Sequence, residues 1–274
     1  MQYVKFPIVF LVMTAFLTTC GGPSMPTTTL ATMGHAGFTD EQARRLGRMK
    51  IFFGHQSVGD NIVQGIRDLM MEDSRLQLNI VSTGDPAQAT GPGLVETHLG
   101  QNTFPRTKNA AFRHTVENGW GGQDGAVVMM KYCYVDIGPE TNVAAMFQEY
   151  TDLINNLQHK YPALQIVHVT VPLTTVEAAG KAWLKQVLGR SSAREANRKR
   201  NQFNRWLGER YPGTHIFDLA EIESTRDDGS REFFTENGNR IYTLVPAYTT
   251  DGGHLNEAGR RTAARGLLLT LAGL

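Results

Sequence analysis

Three residues far apart in the sequence have the side chains needed for nucleophilic catalysis: Ser57, Asp251 and His254. A serine hydroxyl is a weak nucleophile that needs a base, and a histidine base needs a carboxylate to orient it. Ser57 lies between Gly54 and Gly59, and Asp251-Gly-Gly-His254 places the other two residues close together. In this arrangement Asp251 can face one ring nitrogen of His254 and leave the other nitrogen for Ser57.

Each half of this pattern also has a simpler interpretation. Serine is a favoured N-cap of helices, so Ser57 could serve only to begin one. Residues 251–256 could be a glycine-rich turn with an incidental histidine. The two halves together are more specific than either alone, although the G-x-S-x-G pattern of α/β-hydrolases is absent around Ser57.

The elements that must position these residues alternate between strand and helix patterns. Short apolar runs predict five strands, and apolar residues spaced three to four apart predict helices between them. The strands are expected at 50–54, 76–83, 126–134, 164–171 and 215–219, and the helices at 40–48, 58–73, 143–161, 192–211 and 256–271. The alternation predicts a mainly parallel five-stranded sheet in a three-layer α/β/α sandwich, with the first strand central.

The expected site lies beyond the carboxyl ends of the strands, where ligands bind in such sheets. Ser57 directly follows the first strand, and Asp251 and His254 precede the last helix. Gly84–Gly125 is rich in Gly and Pro and is expected to be a long loop. Loops of that length in a compact domain are usually functional.

At this point the sequence resembles the SGNH/GDSL hydrolase superfamily, over roughly residues 50–271. The resemblance rests on the serine after the first strand and the Asp-x-x-His before the last helix. It implies a flavodoxin-like sheet and a serine esterase without a cofactor, with Ser57, Asp251 and His254 as the catalytic residues. The usual Gly-Asp-Ser is here His55-Gln56-Ser57.

The resemblance also implies a glycine whose N–H binds the oxyanion, in the loop after the second strand. Gly100, in the segment HLGQN, is the candidate, and Gly84 is the rival. His55 and His98 are further candidates to line the site. The histidines show no H-E-x-x-H pattern and no paired Cys/His spacing, so no metal site is expected.

The family's second oxyanion donor is an asparagine that should follow the third strand. Cys133 stands there instead. A thiol is a weak donor, so Asn102, Lys131 or Tyr134 must substitute for the asparagine, or the activity is low.

The amino-terminal residues have the pattern of a secretion signal. Lys5 is followed by an apolar run of about 10 residues, which is too short to span a bilayer. The segment ending at Cys20 resembles the lipobox of bacterial lipoproteins, with Thr19 where the family usually has Gly, Ala or Ser. The expected organisation is a signal peptide at 1–19, a lipid-anchored tether at 20–39 and a hydrolase domain at 40–274, with simple secretion as the alternative.

Charge and cysteine content restrict the partners. The 274 residues include 27 Lys+Arg and 26 Asp+Glu, a formal net charge of +1, which argues against a general nucleic-acid binder.

Cys20 and Cys133 are the only cysteines, so a lipidated Cys20 excludes an intramolecular disulfide. A basic segment at 181–210 and an acidic one at 217–236 are expected to pair on the surface, or else to leave a cationic face for anionic lipid or polysaccharide.

Together these features predict a hydrolase lipid-anchored in the bacterial cell envelope, acting on O-acyl groups of carbohydrate or a related small ester. The alternative is a catalytically weak carbohydrate-binding lipoprotein that uses the same cleft. The replacement of the family's asparagine is the main support for that alternative.

Overall fold

The computed structural model describes residues 37–86, 91–176 and 193–274. Its centre is a six-stranded sheet in which every neighbouring pair of strands is parallel. Helices cover both faces, so the predicted three-layer α/β/α class is confirmed. The strand order is β2-β3-β1-β4-β5-β6, which places the first strand inside the sheet.

The sheet strands are β1 (Lys50–His55), β2 (Ile80–Ser82), β3 (Gly93–His98), β4 (Ala126–Met130), β5 (Gln165–Val169) and β6 (Ile216–Phe217). The helices are α1 (Asp40–Leu46), α2 (Ser57–Glu72), α3 (Pro105–Thr115), α4 (Val143–Lys160), α5 (Ala193–Arg210), α6 (Leu219–Ser224) and α7 (Glu257–Ala272). A separate antiparallel hairpin is formed by β7 (Phe233–Glu236) and β8 (Asn239–Tyr242).

Two sequence predictions are wrong. The sheet has six strands rather than five, because Gly84–Gly125 is not a single long loop but contains β3 and α3. The strand pattern of β3 is hidden because the apolar pair Leu94-Val95 is followed by Glu96, which is buried here and paired with His55 and Ser82. The predicted strand at 76–83 is also shorter than expected, since only the three residues of β2 pair with the sheet.

The core consists of two apolar clusters, one on each face of the sheet. Strand β1 contributes to both, with Ile51 and Phe53 in one cluster and Phe52 in the other. This alternation follows from the two-residue period of a strand. Helices α1, α2, α6 and α7 pack on the first face, and α3, α4 and α5 pack on the second.

The close packing of α2 against α7 determines where the two halves of the site meet. A Cβ atom at Gly65 of α2 would lie 2.3 Å from the carbonyl oxygen of Arg260 in α7, so only glycine permits this approach. Asp68 accepts a hydrogen bond from Arg260 Nε at 2.7 Å across the same contact. Because Ser57 begins α2 and His254 precedes α7, the contact brings their chain segments together.

The described ranges contain no helix that is long and apolar enough to cross a membrane. The expected signal peptide, Cys20 and nearly all of the expected tether lie outside these ranges. Phe38, at the end of the predicted tether, is buried in the core.

Candidate active site

Ser57 is the first residue of α2 and lies just beyond the carboxyl end of β1. The N-cap of this helix is Gln56, whose side chain makes no capping hydrogen bond. The alternative interpretation of Ser57 as an N-cap is therefore wrong. Its hydroxyl is instead 2.9 Å from His254 Nε2.

His254 connects Ser57 to Asp251. The second ring nitrogen, Nδ1, is 2.6 Å from Asp251 Oδ2. The other carboxylate oxygen of Asp251 accepts the backbone N–H groups of Gly253 and His254 at 2.9 and 2.8 Å. The His254 side chain, followed by these N–H groups, holds the pKa of the Asp251 carboxyl well below its usual value, so it stays ionised.

The loop that carries Asp251 and His254 is fixed to α2 by a contact that the sequence analysis missed. Asn61, one turn along α2 from Ser57, accepts a hydrogen bond from the Leu255 N–H at 3.0 Å. The loop also turns at Gly252, where φ is +92°. Asn61 therefore adds to the packing of α2 against α7 in holding the histidine near the serine, and no local pattern marks it for this role.

Tyr134 is the other side chain that reaches His254. Its hydroxyl is 3.5 Å from His254 Nε2, and the two rings meet edge to face. A Cβ atom at residue 253 would lie 2.8 Å from the Tyr134 ring, so Gly253 makes room for it. Arg200 Nε donates to the Tyr134 carbonyl oxygen at 3.0 Å. Burial raises the pKa of the Tyr134 hydroxyl, which keeps it protonated.

Gly100 is the better placed of the two candidate oxyanion glycines. It follows β3, the neighbour of β1, whereas Gly84 follows the edge strand β2. Gly100 has φ of +55°, and a Cβ atom there would lie 2.5 Å from the backbone nitrogen of Lys108. Gln56 Nε2 donates to the carbonyl oxygens of Leu99 and Gly100, both at 3.0 Å, and so connects this loop to the serine turn.

Two backbone N–H groups at this edge of the sheet are free to bind an anion. Neither the Ser57 nor the Gly100 N–H donates a hydrogen bond to another atom of residues 37–86, 91–176 or 193–274. The Ser57 N–H also belongs to the first turn of α2, where the helix dipole favours negative charge. The Ser57 N–H can therefore stabilise an oxyanion that develops beside its own side chain, and the Gly100 N–H is the candidate second donor.

The remaining predicted site residues divide into buried and exposed groups. Lys131 and Cys133 are both 1% exposed, and His55 is fully buried. Lys131 Nζ donates to the Tyr132 carbonyl oxygen at 3.2 Å, and burial lowers the pKa of this amine. None of these three side chains is therefore exposed at the surface. His98 and Asn102 are exposed.

A buried ion pair, which no local sequence pattern indicates, joins Lys108 of α3 to Asp136 in the segment after β4. Asp136 also accepts the backbone N–H of Thr103 at 2.9 Å and that of Cys133 at 2.7 Å. Lys108 Nζ donates to Asn102 Oδ1 at 3.0 Å. The pair therefore fixes the loop after β3 against the loop after β4. No short motif connects residues 28 positions apart in this way.

One group of side chains has the composition of a metal site, although the sequence showed no metal motif. A nitrogen of His55, a carboxylate oxygen of Asp60 and a nitrogen of His98 lie within 4.8 Å of one another. His98 Nε2 is 2.8 Å from Asp60 Oδ1, and His55 Nδ1 is 3.9 Å from the same atom.

A polar cavity of about 580 Å³ lies elsewhere, between α5, α6 and the hairpin. It is lined by the basic and acidic segments that were expected to pair, and Arg198 of α5 lies 3.9 Å from Glu236 of β7. None of Ser57, Asp251 and His254 borders this cavity.

Comparison with known proteins gives matches only among solved structures. No family model matches the chain, and no curated protein matches it significantly. One similar structure is a protein provisionally described as a platelet activating factor from Streptococcus pneumonia, with 16% identity, coverage of 88% of this chain and 89% of that one, and a TM-score of 0.48. Another is provisionally described as a G-D-S-L lipolytic protein from Desulfitobacterium hafniense. It has 8% identity, coverage of 81% of this chain and 99% of that one, and a TM-score of 0.48.

A third similar structure is a catalytic mutant of an acetylxylan esterase from Geobacillus stearothermophilus. It is 15% identical, with coverage of 81% of this chain and 94% of that one and a TM-score of 0.43. All three TM-scores are below 0.5 and all three identities are 16% or less, so these structures do not assign an activity to this chain.

Proposed function

We propose that this chain is a serine ester hydrolase of the SGNH/GDSL type. The observation that carries the proposal is the line of contacts from Ser57 Oγ to His254 Nε2 at 2.9 Å and from His254 Nδ1 to Asp251 Oδ2 at 2.6 Å. A nucleophile, a base and an orienting carboxylate in this order are what acyl transfer requires. A role limited to helix capping would not place the serine against a histidine 197 residues away.

The chemistry follows from this geometry. Ser57 Oγ attacks the carbonyl carbon of an ester while His254 Nε2 accepts the hydroxyl proton. The negative charge on the carbonyl oxygen is stabilised by the free N–H groups of Ser57 and Gly100. As the bond between the carbonyl carbon and the leaving oxygen breaks, His254 gives its proton to that oxygen, which departs as the alcohol. The ionised Asp251 stabilises the ring while it is charged. Water attacks the acyl-serine by the same route and releases the acid.

Tyr134 takes part on the leaving-group side. The leaving oxygen must approach His254 Nε2 to receive the proton, and the Tyr134 hydroxyl is 3.5 Å from that nitrogen. A protonated hydroxyl at this position donates a hydrogen bond to the departing alkoxide. Tyr134 thus supplies a donor to the leaving oxygen, while the Cys133 side chain, at the position of the family's asparagine, is buried and supplies none to the oxyanion.

The proposed substrate is an O-acetyl or similar small acyl group on carbohydrate of the bacterial cell envelope. The support for this placement is the signal-like segment and the lipobox-like sequence at Cys20. Two acyl chains or more on Cys20 would hold the protein firmly, since each buried CH₂ contributes about 0.8 kcal/mol. Labelled palmitate should appear on the wild-type protein and be absent from Cys20→Ala. No label on wild type would favour simple secretion.

The test of the activity is hydrolysis of a small acetyl ester together with labelling by a fluorophosphonate. Ser57→Ala should lower the hydrolysis rate by several orders of magnitude and abolish labelling, with an unchanged melting temperature. Ser74→Ala is a matched control, because it removes an exposed serine hydroxyl just past the end of α2 that is opposite Ser57. Equal labelling of wild type and Ser57→Ala would refute the proposal.

The second candidate function is a carbohydrate-binding lipoprotein with little activity. The burial of Cys133 favours it, because the position of the family's asparagine then offers no donor to the oxyanion. Wild-type protein that hydrolyses no ester and resists serine-directed probes, but binds acetylated glycans, would establish this alternative.

A further inference from the structure

We propose that His55, Asp60 and His98 form a binding site for a divalent transition-metal ion, best suited to Zn²⁺. The three residues come from three adjoining pieces of the fold. His55 ends β1, Asp60 is in the first turn of α2, and His98 ends β3. Strands β1 and β3 are neighbours, and His55 and His98 are directly paired in their register. Two imidazole nitrogens and one carboxylate oxygen are ligands that Zn²⁺ accepts.

Both ring nitrogens of His55 lie close to oxygen atoms, and Nδ1 is the nitrogen nearer Asp60. Its Nε2 is 3.0 Å from Glu96 Oε2 but forms no hydrogen bond within the described residues. Its Nδ1 is 3.1 Å from the Gln56 carbonyl oxygen and 3.9 Å from Asp60 Oδ1, which are both acceptors. A metal ion bound at Nδ1 would take the place of the contact with the Gln56 carbonyl oxygen. The neighbouring His98 nitrogen, within 4.8 Å, offers the ion a second imidazole.

Glu96 has the position of an outer-shell partner. A histidine that binds a metal almost always donates its other N–H to a carboxylate or carbonyl, which fixes the ring and raises its basicity. Glu96 is itself held in place by the Ser82 hydroxyl, which donates a hydrogen bond to its carboxylate. The ring is also held from the other side, since a Cβ atom at Gly59 would lie 2.1 Å from His55 Cγ.

The distances fit a site that closes around an ion. Tetrahedral Zn²⁺ with bonds near 2.0 Å separates its ligand atoms by about 3.3 Å. The contact between His98 Nε2 and Asp60 Oδ1 is 2.8 Å and must lengthen, while that between His55 Nδ1 and Asp60 Oδ1 is 3.9 Å and must shorten. His98 and Asp60 are each about half exposed and can move, whereas the buried His55 is the fixed ligand.

The site is separate from the proposed triad. Asp60 is one turn along α2 from Ser57, and neither Asp251 nor His254 is among the ligands. Three protein ligands leave a fourth position for water or for a polar group of a bound molecule. Zn²⁺ binding can therefore be measured in Ser57→Ala, so failure of this proposal and failure of the proposed hydrolase function are distinguishable.

The experiment is isothermal titration of metal-free full-length protein with Zn²⁺, in the wild type and in Ser57→Ala. We expect one tight site in both. His98→Ala and Asp60→Asn should each weaken binding by about 100-fold or more, and Glu96→Gln by about 10- to 100-fold, as outer-shell losses do. With Co²⁺ in place of Zn²⁺, the visible spectrum should report nitrogen and oxygen ligands in the wild type and change in His98→Ala.

His159→Ala is the matched control, because it removes an exposed histidine from the end of α4 and should leave binding unchanged. Cys20 is present in every protein compared, so any binding to its thiol does not distinguish them. Equal affinity in wild type and His98→Ala would mean an adventitious ion only and would overturn the proposal. No binding by folded wild-type protein would also overturn it.

Discussion

The role of Tyr134 can be isolated by removing one hydroxyl group. Tyr134→Phe keeps the ring that packs against Gly253 and His254 and deletes only the donor 3.5 Å from His254 Nε2. That distance is longer than a normal hydrogen bond, so deleting the hydroxyl should remove little stabilisation from the enzyme without substrate. The loss should appear only when the leaving oxygen becomes charged, and the substitution should therefore lower kcat more than it raises KM.

The size of the effect follows from the kind of hydrogen bond that is lost. A hydrogen bond to a charged group contributes about 1.5–3 kcal/mol, which corresponds to roughly a 10- to 150-fold loss of rate. This loss applies to an alkyl or sugar acetate, whose alkoxide is a strong base. For 4-nitrophenyl acetate the rate should fall by less than about threefold, since the charge of 4-nitrophenolate is delocalised and the Tyr134 donor stabilises it little.

The assay is therefore the ratio of kcat/KM for the two esters in wild type and Tyr134→Phe. Tyr161→Phe is the matched control, because Tyr161 follows α4 and precedes β5, at the opposite edge of the sheet from the site. It should leave the ratio unchanged. Equal losses on both esters would show that Tyr134 only supports the structure of the site, and an unchanged rate on the alkyl ester would show that its hydroxyl is not a donor.

Three further substitutions test the surroundings of the site. Gly100→Ala should lower the esterase activity of folded protein by about 10²-fold or more. A Cβ atom at this φ of +55° would lie 2.5 Å from the backbone nitrogen of Lys108, and the resulting shift would displace an oxyanion donor. Lys108→Met should lower the free energy of unfolding in urea by about 3–5 kcal/mol, since it leaves Asp136 charged and buried, and adding Asp136→Asn should restore part of the loss. Burial raises the pKa of Glu223 to about 8. The contribution of Glu223 to the free energy of unfolding is therefore full below its ordinary pKa of 4.5 and is lost as the pH rises toward 8. Urea unfolding of Glu223→Gln should therefore be less dependent on pH between about 5 and 8 than that of wild type, and parallel curves would contradict this account.

The sequence by itself determined the layers of the fold and the residues of the proposed triad. Continuous apolar runs such as 126–130 indicate strands buried on both faces, and the spacing of Ile62, Ile66 and Leu69 indicates a helix with one buried side. Ser57 and the pair Asp251 and His254 could be chosen because their types match one chemistry and because each lies at the end of a predicted element. Local patterns carry this information, since the periods of strands and helices are local properties.

Tertiary structure alone decided what lies around those residues. Strand β3 was missed because Glu96 breaks its apolar pattern, and that glutamate is tolerated inside only because His55 and Ser82 are there to pair with it. In the same way, the contact of Asn61 with the Leu255 N–H depends on the packing of two helices that are distant along the chain.

The burial of Cys133 and Lys131 and the position of Tyr134 were likewise set by tertiary structure. The sequence placed all three after the same strand, and it could not tell which side chain would turn toward His254. That depends on long-range contacts, with Gly253 leaving space for the Tyr134 ring and Arg200 holding its backbone. Such contacts join residues up to 120 positions apart, and their energies depend on distances that no local period encodes.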